Sequence, residues 1–391
     1  MHDEYKRRKV DDNWYPVTLD EVKAYYALHI SMSQVKKSNV QLYWTTRAAV
    51  VETPIFKKTM PFKRFRQISR FLHFFDNETA DGSDRLRKVR PIINLWNEKF
   101  KEIYTPNDYV SIDESLMKYK GRLAYKQFDP SKTARFGLKI YKLCKASTGF
   151  CHGFKIYTGQ DKIDSNDSAP ENVVMELSKS IINKGYTLFL NNWYSSPDLF
   201  LKLHKKKTNI IGTLRKNRKN VPKDIQKRIL KKGECVWRRC NNLIAPRWKD
   251  RRDVYMMIST KHESEEMVEQ SDKQLQKVTK PKCIVEYNKG IGAVDHQDQM
   301  LSCFLIMRKV IKGYRKLFFY MSYMALFNTY IMHKIMRSRK RESYVEYRVN
   351  IAGAILQNIQ LPDYKTRGKS VSIEPLRLQA QYCAHFPKTI D

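Results

Sequence analysis

The fold class follows from the segment YTLFLNN, residues 186–192. Its first five residues carry no charge and favour strands, and a short run of this kind is typical of a strand buried on both faces of a sheet. The run stops at Asn191 and Asn192, so we expect their polar side chains where a central strand ends. The sequence therefore predicts an α/β sheet with Asn191 at the end of one of its central strands.

Strand and helix patterns around this segment extend the prediction to a mixed sheet. Alternating apolar residues indicate strands, and apolar residues three and four apart indicate helices. The predicted elements are strands at 109–113, 138–144 and 150–157, a helix at 169–183, the buried strand, a short helix at 200–203 and a strand at 210–214. Strands followed by a helix and a buried strand suit a ribonuclease-H-like core.

Helical periodicity dominates both ends of the chain. Helices are predicted at 19–32, 62–75 and 89–104, and helical patterns return from residue 294 and are strongest at 317–336. We therefore divide the chain into a first helical part at 1–107, a first core part at 108–214, a β-rich insertion at 215–281, a second core part at 282–304 and a second helical part at 305–391. A chain of 391 residues is long enough for several such subdomains.

A large excess of basic residues indicates a polyanionic partner. The chain has 74 Lys and Arg against 40 Asp and Glu, a formal net charge of +34. The excess is concentrated in two stretches, 117–145 and 201–232, each with a single acid. Such patches favour salt-dependent binding to the phosphates of nucleic acid. The candidate phosphate contacts are Arg122, Lys132, Arg135, Lys139, Lys216 and Lys219.

Other features argue against a secreted or membrane protein. The seven cysteines form no CxxC pair and no signal peptide precedes them, which favours reduced intracellular thiols. The longest uncharged run, 317–332, is short and partly polar, so we expect a buried helix there and no membrane span. Short basic runs at 205–207 and 337–341 are candidate nuclear localisation signals.

Three places bring acids or amides to strand ends and helix starts. Asp113, followed by Glu114, ends the first predicted strand, and Asn191 ends the buried strand. Asp295 and Asp298 are three residues apart and would share one face of a helix. Two-metal phosphoryl transfer requires carboxylates that converge from separate elements. Acids at such positions are also common in proteins without this chemistry, so the pattern alone leaves both interpretations open.

Three ordered sequence blocks carry a resemblance to a known family. They are SIDESL at 111–116, followed by KYKGR at 118–122 and ARFGLK at 134–139; LNNWYSS at 190–196; and YNKGIGAVDHQDQM at 287–300. Together they resemble the three catalytic blocks of piggyBac transposases, and the match covers nearly the whole chain. In the second block the family has Asp-Asn-Trp where this chain has Asn191-Asn192-Trp193.

The resemblance implies a DDE-type catalytic core set between the two parts of a helical DNA-binding and dimerisation domain, and hence a homodimer on DNA. It implies that Asp113 and Asp295 are catalytic acids and metal ligands, that Asp298 is a further carboxylate near the metals, and that the metal is Mg²⁺ or Mn²⁺. Asn191 replaces the expected second acid. A cysteine-rich zinc module is expected after residues 385–387, but the sequence stops at Asp391.

Three functions remain open at this point. The first is a nuclear DNA-binding protein derived from a piggyBac transposase, with catalysis lost or reduced because of Asn191. The second is an active metal-dependent transposase or nuclease that tolerates Asn191. The third is a protein-interaction or dimerisation module without a DNA function, or an element copy with no selected role.

Overall fold

A computed structural model of the chain describes residues 14–46, 49–76, 83–130, 135–159, 168–259, 265–271, 277–304, 312–337 and 342–364. Lys132 and the region expected to precede a zinc module lie outside these residues, as does most of the basic run 337–341. Within the described part, no helix is long and apolar enough to cross a membrane.

Nine strands form one mixed sheet at the centre of the molecule. The strands are β1 Tyr109–Lys118, β2 Gln127–Phe128, β3 Phe136–Lys145, β4 Cys151–Ile156, β5 Thr187–Leu190, β6 Asn209–Thr213, β7 Cys235–Cys240, β8 Leu243–Lys249 and β9 Asp253–Ser259. Their order is β2-β3-β1-β5-β6-β9-β8-β7, with β4 pairing to β3. A separate hairpin joins β10 Met267–Ser271 to β11 Lys277–Pro281.

The segment at 186–192 lies where the sequence predicted. β5 is fully buried and pairs in parallel with β1 on one side and β6 on the other. Parallel strands are usually covered on both faces, and this explains why the segment is apolar without alternation.

Helices cover both faces of the sheet and extend beyond it. They are α1 Leu19–Gln34, α2 Pro54–Thr59, α3 Phe62–Phe71, α4 Arg90–Ile103, α5 Ala169–Leu177, α6 Pro197–Lys205, α7 Lys223–Lys227, α8 Lys282–Gly290, α9 Ala293–Cys303, α10 Gly313–Met336 and α11 Tyr344–Gln357. Short 3-10 turns occur at Val40–Trp44, Ala49–Val51 and Ser178–Ser180. The first predicted helix begins after Thr18, whose side chain forms a capping box with Glu21.

The two largest hydrophobic clusters of the described residues lie on opposite faces of the sheet. On one face α4, α9, α10 and α11 pack against β3 and β4 around residues such as Phe100, Leu138 and Met321. On the other face α5 and α6 pack against β1, β5 and β6 around Val173 and Leu188. Helices from the beginning and the end of the chain therefore share one core, so the two helical parts meet in space.

Two asparagine side chains bind the edge strand β4 as a further strand would. The Asn97 side chain, on α4, donates to the Phe154 carbonyl and accepts from the Phe154 N–H. The Asn328 side chain, on α10, makes the same pair of hydrogen bonds with Cys151. These amides satisfy backbone groups that an edge strand would otherwise leave open.

Two details differ from the sequence-based expectations. Asp113 does not end its strand, because β1 continues to Lys118 in antiparallel pairing with β3. The helix expected at 169–183 is regular only to Leu177 and then narrows to a 3-10 turn.

In the stretch 215–281, β9 pairs with β6, so β7, β8 and β9 continue the core sheet.

Candidate functional site

The pairing of β1 with β5 places the first and second sequence blocks side by side. The two strands run parallel in a register that sets Ile112 opposite Leu190. Asp113 therefore follows Ile112 in β1, and Asn191 directly follows Leu190, the last residue of β5. Parallel pairing with β5 covers only the first four residues of β1. Both polar side chains consequently lie where the central ladder stops.

The Asn191 amide is held in one orientation by partners on both of its atoms. Its Nδ2 donates to Asp113 Oδ1 at 2.7 Å and to Glu114 Oε2 at 3.3 Å. Its Oδ1 accepts from the Trp193 N–H at 2.8 Å. The amide oxygen faces the backbone and the amide nitrogen faces the carboxylates, because only the nitrogen can donate to them.

Glu114 belongs to this cluster although it points to the other face of β1. Its Oε2 also accepts from the Tyr194 hydroxyl at 3.1 Å. Burial, together with the carboxylates of Glu114 and Asp113, raises the pKa of Tyr194 well above its ordinary value. Tyr194 therefore remains a neutral donor to Glu114. The Asn191 amide and the Tyr194 hydroxyl, both in the second block, are hydrogen-bonded to acids of the first block.

The third block spans the end of α8 and most of α9, and α9 packs against β1 and β3. The end of α8 lies close to β5, because a Cβ on Gly290 would stand 2.2 Å from the Phe189 ring. Asp295 is exposed, whereas Asp298 is half-buried. Asp298 Oδ1 accepts from Lys142 Nζ at 2.7 Å and from the Tyr320 hydroxyl at 3.3 Å.

Lys142 connects the first and third blocks. The β1–β3 register sets it directly opposite Asp113, so the two side chains leave the sheet on the same face. Its side chain is 0% exposed. Burial alone would lower the pKa of Lys142, but the Asp298 carboxylate raises it above the ordinary value. Lys142 is thus a charged ammonium with Asp113 opposite it and Asp298 bonded to it, and we call Asp113, Glu114, Asn191, Lys142 and Asp298 together the acid cluster.

This donor set does not fit a divalent metal ion. A hard cation needs carboxylate or carbonyl oxygens directed at one point. Here an amide N–H group binds Asp113 and an ammonium group binds Asp298. Across the part of the chain that the structure describes, no group of three or more His, Cys, Asp or Glu residues is arranged to hold a metal.

Basic and aromatic side chains surround the second block. Trp193 stacks on Tyr141 with ring centroids 5.7 Å apart, and Lys139 Nζ lies 4.4 Å from the centre of the Trp193 ring. Arg215 Nε donates to Asn192 Oδ1 at 3.3 Å, and Arg218 Nη2 donates to the Asn192 carbonyl at 3.2 Å. The loop that carries Asn191 is therefore enclosed by cationic side chains.

The other candidate phosphate contacts occupy separate positions on the surface. Arg122 is exposed between β1 and β2, and Arg135 is exposed just before β3. Lys216 and Lys219 are exposed between β6 and α7, beside the loop that contacts the second block. Of the six candidates, Lys139, Lys216 and Lys219 lie on or next to elements that contact the second block.

Lys142 and Tyr194 were not predicted from the sequence to lie among these residues. A signal for Lys142 was present, since it stands among Ile140, Tyr141 and Leu143 in a strand with covered faces. A lysine in such a strand is rarely buried unless it is paired. Tyr194 had no comparable signal, because an aromatic residue after a strand is ordinarily a core residue.

Comparison with known proteins identifies the family. The family model for Transposase IS4 matches residues 1–330. The human PiggyBac transposable element-derived protein 2 is 24% identical over 365 residues, which cover 88% of this chain and 60% of that protein. The human PiggyBac transposable element-derived protein 3 is 26% identical over 351 residues, which cover 85% of this chain and 58% of that protein. The chain therefore spans less than two thirds of the length of these relatives.

A solved structure shows the same fold. The cryo-EM structure of the piggyBac transposase synaptic complex with hairpin DNA matches with a TM-score of 0.80 and 22% identity, over 98% of this chain and 85% of that chain. This match confirms the predicted ribonuclease-H-like core with helical flanks. From the family match and these likenesses, the chain belongs to the Transposase IS4 family and is of the piggyBac type.

Proposed function

We propose that this protein is a nuclear DNA-binding protein derived from a piggyBac transposase, in which DNA cleavage is lost or strongly reduced. The observation that carries the proposal is the 2.7 Å hydrogen bond from Asn191 Nδ2 to Asp113 Oδ1. Strand transfer by two metal ions needs carboxylates that converge on the cations. At this point the chain presents an N–H donor to the first carboxylate.

The missing carboxylate has a large electrostatic effect. Two unit charges about 4 Å apart interact by roughly 4 kcal/mol at an effective dielectric near 20. At about 1.4 kcal/mol per tenfold, losing one such charge against a divalent ion lowers metal binding and rate by roughly a thousandfold or more. The basic residues around the cluster add to this effect, because they raise the local positive potential.

DNA binding is supported by the charge and by the solved neighbour. The net charge of +34 favours a polyanionic partner, and basic side chains lie around the second block. The neighbour of known structure is a transposase in a synaptic complex with hairpin DNA. We infer the same partner class here, with Arg122, Arg135, Lys139, Lys216 and Lys219 among the phosphate contacts.

A pair of assays tests the proposal. Fluorescence anisotropy with duplex DNA should show binding that is unchanged by EDTA or MgCl2 and falls steeply with salt. Incubation with Mg²⁺ or Mn²⁺ should give little or no strand cleavage by the native protein. Failure to bind DNA at low salt would instead favour an interaction module without a DNA function. Cleavage that disappears in Asp113→Ala would establish an active transposase or nuclease.

Localisation in the nucleus and formation of a homodimer are tested by two further measurements. The exposed run Lys205–Lys207 is a candidate nuclear localisation signal within the described residues. Alanine substitutions there should shift a fluorescently tagged protein towards the cytoplasm if this run supplies the signal. Light scattering coupled to gel filtration, with and without DNA, measures whether the protein forms a homodimer.

A further inference from the structure

A charged lysine lies inside the acid cluster with no exposed surface. Lys142 is on β3, and the exposure of its side chain is 0%. An isolated ammonium in such a position is costly, because burial removes its hydration. The surrounding groups must therefore compensate the charge, and they identify what the lysine does.

The compensating groups come from α9, α10 and β1. Asp298 Oδ1 on α9 lies 2.7 Å from Lys142 Nζ, and the Tyr320 ring on α10 lies 5.2 Å from the same nitrogen. The Tyr320 hydroxyl also contacts Asp298 Oδ1 at 3.3 Å and Ser115 Oγ at 3.1 Å. One ammonium thus connects the third sequence block to a polar network on β1.

The register adds the first block to this arrangement. Lys142 and Asp113 are directly opposed residues of antiparallel strands, so their Cβ atoms lie roughly 5 Å apart on the same face. On its other side, Asp113 receives the Asn191 amide. The chain itself therefore supplies a cation and a donor to these acids, the Lys142 ammonium and the Asn191 amide.

We propose that Lys142 is a built-in counter-ion, which holds Asp298 against the sheet and makes the acid cluster stable without divalent metal. The proposal rests on the proposed function in one respect: it takes this cluster as the counterpart of the family's catalytic centre. Lys142 is a positioning residue, because it acts through Asp298 and Tyr320. If Lys142 formed only a structural ion pair, removing its charge would not change how the acid cluster responds to metal ions. If Lys142 is a counter-ion, removing its charge should allow a metal ion to bind in its place.

The test measures thermal stability and Mn²⁺ binding of the full chain. The melting temperature of the native protein should be the same in EDTA and in millimolar MnCl2. The variant Lys142→Met retains an unbranched side chain without the charge, so it should melt lower in EDTA and recover in MnCl2. Titration monitored by the Mn²⁺ EPR signal should show saturable binding to Lys142→Met and none to the native protein.

A second substitution assigns the response to Asp298. The double variant Lys142→Met/Asp298→Asn should lose the recovery in MnCl2 and the saturable EPR signal. Equal Mn²⁺ responses of the native protein and Lys142→Met would overturn the proposal. A response that persists undiminished in the double variant would overturn it as well.

Single substitutions on α9 keep the proposal testable if Lys142→Met does not fold. Asp298→Asn leaves the buried ammonium without its carboxylate and should lower the melting temperature. Asp295→Asn changes an exposed acid one turn earlier and is the matched control. Equal melting temperatures for the two variants would contradict the counter-ion role. DNA-binding and cleavage assays decide the proposed function separately, because neither depends on these melting temperatures.

Discussion

The Asn191 amide nitrogen donates hydrogen bonds to both Asp113 and Glu114. The substitution Asn191→Asp puts a third carboxylate in the place of this donor. The lost hydrogen bond to Asp113 is worth about 1.5–3 kcal/mol, as a bond to a charged acceptor. A new pair of like charges about 4 Å apart costs roughly 4 kcal/mol at an effective dielectric near 20. The variant should therefore be clearly less stable than the native protein when no metal ion is present.

Protonation limits this loss of stability. Protonating the introduced carboxyl at about pH 7 costs roughly 4 kcal/mol, at 1.36 kcal/mol for each unit above its usual pKa near 3.9. We therefore expect Asn191→Asp to lower the free energy of unfolding by about 2–4 kcal/mol in EDTA at neutral pH. Divalent ions should reduce this difference, because they neutralise the added charge.

The sign of the pH dependence follows from the raised pKa expected for the introduced carboxyl. The stability difference between variant and native protein should be small below about pH 4 and should grow as the pH rises towards the raised value. Urea denaturation at several pH values, in EDTA and in MgCl2, measures it. Asn192→Asp is the matched control, since Arg215 contacts that side chain and an added charge there should be neutral or mildly stabilising. If Asn191→Asp is as stable as the native protein in EDTA at neutral pH, the carboxylates do not converge on this amide.

Three further outcomes are expected. Lys216→Ala/Lys219→Ala should reduce the slope of log affinity against log salt by about 1.8 if both lysines contact phosphate, measured by fluorescence anisotropy. Glu21→Gln should lower the free energy of unfolding by about 3–5 kcal/mol, because it strips the buried Arg64 guanidinium of its carboxylate. Burial would raise the pKa of Glu21 but Arg64 lowers it, so this stability is present above about pH 4.5 and is lost as the pH falls through the lowered pKa. Asn328→Ala should cost about 1–3 kcal/mol for each backbone group of β4 that it leaves unpaired, measured by urea denaturation.

Each of these outcomes has a matched control. Lys99→Ala removes a surface lysine paired with Glu102 and should leave the salt slope unchanged. Asp20→Asn changes the partly exposed acid beside Glu21, which pairs with the surface residue Lys23, and should destabilise the protein less than Glu21→Gln does. Asn350→Ala changes an exposed amide on α11, so equal losses for Asn350→Ala and Asn328→Ala would contradict the role given to Asn328.

The elements that the sequence predicted are those with an unambiguous local signal. The capped helix after Thr18, the uncharged run at 187–190 and the helix that carries Asp295 and Asp298 all form where the periodicity placed them. Each depends on local pattern and on burial of one face or both. The family resemblance added the order of the three blocks.

The remaining features depend on pairing between distant segments. Residues beyond Asp113 stay extended because β3 pairs along the whole of β1, and a strand's end cannot be read from one strand alone. The charge of Lys142 is balanced by a residue 156 positions later, so its role required the folded chain. The pairing of β9 with β6 is likewise non-local, and composition gave no sign that 215–281 would extend the core sheet.

The amides that cover β4 also constrain the order in which the chain can complete its fold. Asn328 lies 177 residues after Cys151, so synthesis on the ribosome finishes β4 long before α10 can reach it. Closing so long a loop is a late event, because the intervening chain must lose conformational entropy before the contact forms. Until then the nascent chain presents part of an open strand edge to its neighbours. Chaperone dependence and co-translational aggregation should therefore depend on how soon α10 is synthesised and packs against β4.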